Sequence, residues 1–149
     1  MSASLYEHDF HAWANEQAAL LRAGNLSAAD IGHIAEEIES MGKTEKRELV
    51  SRLTVLLLHL LKWRYQPERR GARWEATITV QRDDIADHLD DNPSLTPTLP
   101  EAAASAYRKA VFLAAGETGL PRSAFPAVCP WPVPRIIDPT FWPCDRDGL

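Results

Sequence analysis

Apolar positions recur at helical spacing along four stretches of this chain, and the pattern then dissolves into prolines. In the first stretch Tyr6, Phe10, Trp13, Gln17 and Leu20 or Leu21 fall on one face. Ser4 and Glu7 have the spacing of a capping box, in which each side chain satisfies an orphan amide at a helix start, and Gly24 suits a helix stop. The second stretch offers Ser27 as a cap with Asp30 three residues on, and Leu26 placed to staple onto Ile31. Ile31, Ile34, Ile38 and Met41 then repeat like the seam of a coiled coil. Gly42 costs a helix about 1 kcal/mol relative to alanine, which predicts a kink or short break there. The pattern resumes through Leu49, Leu53, Leu56, Leu57, Leu60 and Leu61. These leucines cover more than one face, which predicts a central, buried helix. Pro67 ends it.

The third helix is expected from about Pro67 or Ala72 to Asp90, with Trp74, Ile78, Ile85 and Leu89 as its stripe. The run ATITV favours a strand locally, but no second strand signal accompanies it. Asn92-Pro93-Ser94 reads as a loop. Thr98 and Glu101 form another capping box, and the fourth helix carries Tyr107, Val111 and Ala114 before stopping near Gly116 or Gly119. From 120 to 149 seven prolines forbid a long helix. Phe125, Trp131, Phe141 and Trp142 stand among them, so this segment is expected to be an extended arm laid on the bundle, anchored by its rings. The fold class is therefore all-α: one domain over 1–149, a small helical bundle over about 4–119 around a leucine-rich central helix, and an irregular proline- and aromatic-rich arm over 120–149.

Composition changes this picture little. With 45% hydrophobic and 25% charged residues the chain is ordinary for a soluble domain. Its net charge of −5 argues against general nucleic-acid binding. The N-terminus has neither the basic nor the apolar segment of a signal peptide, and Val55 to Leu61 is too short for a membrane span. Cys129 and Cys144 form no CxxC pair, and nothing points to an oxidising compartment. A cytoplasmic protein with reduced thiols is expected, with no membrane association.

Four stretches, LLLHLLKWRYQPERRGARWEATITVQR, AEEIESMGKTEKRELVSRL, LYEHDFHAWANEQAALLR and ETGLPRSAFPAVCPW, resemble the bacterial family named domain of unknown function 29 (DUF29). The likeness covers about residues 5–143. It implies a small all-helical bundle, mostly from bacteria and cyanobacteria. It carries over no catalytic residue.

Candidate chemistry concentrates between residues 59 and 82. Lys62, Arg64, Arg69, Arg70, Arg73 and Arg82 face only Glu68 and Glu75 between 62 and 82, a local excess of +4. Interleaved with Trp63, Tyr65 and Trp74, these cations can take an acidic segment of a partner protein, for which Arg, Trp and Tyr are the usual anchors. They can also hold phosphates or stacked bases. The competing internal reading is that Asp30, Glu36, Glu37, Glu39, Glu45 and Glu48 neutralise the basic corner while its aromatics close the core. His59 shares a helical sector with Lys62 and Trp63, and with Glu37 or Glu36 crossing to it a Glu–His–Lys proton-transfer group becomes possible. Metal readings are weaker. His33-x-x-Glu36 reverses the order used by carboxylate-bridged bundles and has no second copy. Asp84, Asp87, His88 and Asp91 share a face but lack the glycine turn of a calcium loop.

No nucleophile elbow, phosphate loop or dinucleotide fingerprint is present. The expectation is a non-catalytic protein-interaction module with no cofactor. Its binding residues are Glu37, His59, Lys62, Trp63, Tyr65, Arg69, Arg70 and Trp74. A homodimer through the Ile31–Ile34–Ile38–Met41 stripe, or another protein partner, is expected. Nucleic-acid or phosphate binding through the same corner is the alternative, and a metal-dependent enzyme the third reading.

Overall fold

Asp9 decides how the first stretch folds. In the computed structural model, which describes residues 2–144 and side chains from 5 to 144, the expected single helix is two: α1 (Ser2–His8) and α2 (Phe10–Arg22). Asp9 stands between them in a non-helical conformation, and its carboxylate accepts the Ala12 backbone N–H at 3.1 Å. A carboxylate that can cap its own downstream amides competes with helix continuation, and here it wins. The expected capping box at Ser4 lies outside the described side chains. Gly24 behaves as anticipated. Its φ is 72°, and the Gly24 and Asn25 amides donate to Leu21 and Leu20 at 3.0 and 2.9 Å, a Schellman stop.

Two compact units make up the chain, Met1–Thr44 and Glu45–Leu149. In the first, α3 (Ile31–Tyr65) begins after Asp30 instead of Ser27. Asp30 wins because it is gripped from several sides. Its N–H donates to Gln17 Oε1 at 2.7 Å, and its carboxylate receives Trp13 Nε1–H at 3.1 Å and His33 Nδ1 at 2.7 Å. Trp13 and Gln17 are the buried face of α2. Leu26 and Ile31 are both exposed, so the expected staple does not form. Gly42 lies inside α3 without a break, since a glycine in a helix interior weakens it but does not force a turn.

In the second unit the leucines of α3 form the core as the pattern required. Leu49, Leu53, Leu56, Leu57, Leu60 and Leu61 are completely buried, together with Ile78 and Ile85 of α4 (Ala72–Asp91). The TIT segment is helical within α4. Opposite comes α5 (Leu99–Thr118), whose buried Ala102, Ala103, Ala106, Ala110 and Ala114 are small enough for close helix approach. The Thr98 capping box is absent: its hydroxyl donates back to the Leu95 carbonyl at 2.6 Å. Gly119, at φ 78°, ends α5.

The arm packs on this unit, as its rings predicted. Phe125, Trp131 and Ile136 are buried, and Tyr107 O–H donates to the Pro126 carbonyl at 2.6 Å. A short helix not foreseen in the sequence, α6 (Val133–Ile137), opens with proline at its first turn. Among the described residues the chain is all-α with no strand, and no helix is long and apolar enough to cross a membrane.

Candidate functional site

Lys62 sits near the end of α3, four residues before the helix gives way ahead of Pro67, and its side chain is largely buried. A buried ammonium needs a partner. Lys62 Nζ meets Glu117 Oε1 of α5 at 2.8 Å and lies 4.9 Å from the centre of the Trp74 ring. Trp63, one residue on, packs against Trp142 of the arm with ring centres 4.6 Å apart. Arg70, past the turn at Pro67–Arg69, folds back so that Nε donates to the Trp63 carbonyl at 2.6 Å with its guanidinium 5.3 Å from the same ring. Tyr65 meets Phe125 edge to face at 5.0 Å and carries Arg64 at 4.9 Å. The end of α3, the turn and the arm are thus joined by alternating cations and rings. Each such contact is worth about 0.5–2 kcal/mol according to its exposure.

Arg82 is the deepest cation of the set, only 4% exposed. Its Nε donates to the Ile136 carbonyl at 2.9 Å and its guanidinium lies 5.6 Å from the Trp142 ring. Both terminal nitrogens are buried without a hydrogen-bond partner. Burial pulls its pKa below the ordinary value, and the charge of Asp138 opposes that shift.

The expected neutralisation of the corner by the acids of the second stretch does not occur. Arg69, Arg70, Arg73 and Arg82 have no carboxylate within ion-pair distance among the described residues. The carboxylate that Lys62 finds comes from α5. Arg69 and Arg73 are exposed, while Trp63 and Trp74 are only partly buried. The rings therefore close the corner, but Arg69 and Arg73 have no partner at its surface among the described residues.

Glu37 belongs to the first unit, where it accepts the Tyr6 hydroxyl at 2.5 Å and holds that phenol's pKa up at about 12. His59 and Lys62, the other members of the expected Glu–His–Lys group, lie in the second unit. His59 Nδ1 instead bonds the Val55 carbonyl at 2.9 Å, and burial, followed by the charge of Lys62, lowers its pKa. The other sequence candidates also resolve differently. His33 engages Asp30 and not Glu36. Asp84 pairs with Arg52 at 3.0 Å, and His88 turns inward toward α3, away from the aspartates of its own helix. Cys129 and Cys144 form no disulfide among the described residues. Arg82 and Trp142 were identified in the sequence only as members of a charge cluster and an arm. Their pairing across 60 residues carries no local signal.

No curated protein and no solved structure matches this chain. The family model described as "Domain of unknown function DUF29" matches residues 5–142. The chain belongs to the DUF29 family.

Proposed function

We propose that this chain is a non-catalytic protein-interaction module whose basic corner takes an acidic segment of a partner. The observation that carries this reading is the pair of exposed, unpaired guanidiniums, Arg69 and Arg73. They flank a turn held by Arg70, Trp63 and Trp142. A pre-organised turn presents its charges at little entropic cost, and arginine forks suit carboxylates. Glu37, which belongs to the first unit, and His59 are not part of the proposed contact. Lys62, Trp63, Tyr65, Arg70 and Trp74 frame it, and Arg69 and Arg73 make it. A second copy of the chain is the partner proposed for the stripe in the first unit, where Ile31, Ile38 and Met41 are 53%, 59% and 61% exposed. A bacterial cytoplasmic setting accords with the family resemblance.

Fluorescence anisotropy tests the corner with a labelled, tryptophan-containing glutamate-rich peptide and a short DNA duplex. The peptide is expected to saturate binding, and Arg69→Ala with Arg73→Ala to weaken it about 10-fold, the sum of two exposed charge contacts. Tighter duplex binding with a steep salt dependence would transfer the site to nucleic acid. Binding of neither probe would overturn both readings.

A further inference from the structure

Away from the corner, a second group of side chains joins α3 to α4. Glu45 and Glu48 stand three residues apart on α3 and so share a face. His88 of α4 points between them, its side chain only 7% exposed. One ligand atom from each of the three lies within 4.8 Å of the others.

The hydrogen bonding of His88 gives this cluster its meaning. Nε2 lies 2.8 Å from the Glu45 backbone carbonyl. A carbonyl only accepts, so Nε2 carries the hydrogen. In the neutral ring Nδ1 is then a lone pair. It makes no hydrogen bond among the described residues, yet it faces Glu48 Oε2 at 3.4 Å. Two acceptors that face one another at this distance repel unless a cation, either a proton on Nδ1 or a metal ion, stands between them. A histidine whose second nitrogen is fixed by a backbone carbonyl, leaving the first bare, is how proteins present imidazole to a metal. The spacing agrees. Two donors held about 2.1 Å from one tetrahedral zinc ion stand about 3.4 Å apart.

Charge agrees as well. Glu48 Oε2 also accepts Arg52 Nε–H at 3.1 Å, and Arg52 Nη1 donates to Asp84 Oδ2 at 3.0 Å. Glu48 and Asp84 thus share one guanidinium, and Glu45 stands beside them with Oε2 3.6 Å from His88 Nε2. With the imidazole neutral the cluster carries −2, which a divalent ion balances. Arg52 serves as the outer partner that orients the Glu48 carboxylate.

We propose that Glu45, Glu48 and His88 form a binding site for a divalent transition-metal ion of the zinc class, pinning α3 to α4. Mixed nitrogen and oxygen donors favour zinc over calcium or magnesium. Three protein ligands leave one position open to water. The site is independent of the basic corner, and neither proposal depends on the other.

The test is titration of the metal-free full chain with Zn2+, followed by native mass spectrometry, calorimetry and thermal unfolding. One zinc per chain is expected, with micromolar or tighter affinity and a rise in Tm. Calcium and magnesium at the same concentration should give neither effect. His88 is buried, so His88→Gln can fail to fold. Glu45→Gln and Glu48→Gln, on partly exposed residues, carry the test, and each should weaken zinc binding at least 10-fold and remove the rise in Tm. Three results would overturn the proposal: no binding, binding unchanged in both glutamine variants, or equal binding of calcium. The second would send the metal to Cys129 and Cys144 or to surface histidines.

Discussion

Arg82 shows what a single buried residue costs and contributes. One of its three nitrogens has a partner and two have none among the described residues, inside a core built mainly of leucine, isoleucine and alanine. Unsatisfied buried donors cost about 1–3 kcal/mol each, and replacing a buried charge by an apolar side chain of similar volume is often neutral or favourable. Arg82→Met is therefore expected to unfold within about 1 kcal/mol of the parent, or later. Arg82→Ala loses the stem that packs under Trp142 and should destabilise by about 2–4 kcal/mol. Urea midpoints at constant m-value measure both. A strongly destabilised methionine variant would mean that the guanidinium itself holds the arm. His88 makes a related point about chemistry, because its role rests on which nitrogen meets a carbonyl. No residue count around His88 in the sequence reveals that.

Along a single element, α3 carries two histidines with opposite dependence on pH. Near its start, the bond to Asp30 raises His33 above its ordinary 6.5. That contribution to stability is complete below pH 6.5 and is lost as pH rises through the raised value. Asp30, lowered first by the same bond, gives up its share only below 3.8. Further along, burial lowers His59, so the folded state prefers it neutral, and stability there is lost as pH falls below 6.5. Hydrogen exchange at pH 5 and pH 8 should show protection around residues 31–37 falling with rising pH. Protection around 55–62 should fall with acidification. Parallel changes at both places would refute the assignment. The helix itself was legible in the sequence, because leucine periodicity reports directly on burial. Its start and the break at Asp9 were not, because Ser4, Asp9, Ser27 and Asp30 are all competent caps and tertiary grips choose among them. Lys62 meeting Glu117, and His88 meeting Glu45 and Glu48, depend on the register between helices, which periodicity along one helix does not contain.

For the whole molecule, the exposed stripe of Ile31, Ile38 and Met41 raises the question of assembly. Monomers seldom leave a regular apolar seam in water. Sedimentation velocity across micromolar concentrations should show a reversible dimer, and Ile38→Lys should dissociate it. A particle that stays monomeric at every concentration would remove the second copy from the account. The arm has a different consequence. Trp142 and Ile136 cover Trp63 and Arg82, which precede them by 79 and 54 residues. On the ribosome the leucine-rich helix is made well before the residues that seal its end. The nascent chain therefore passes through an interval with its core open at one side, in which holdases and proteases compete with the closing of the arm.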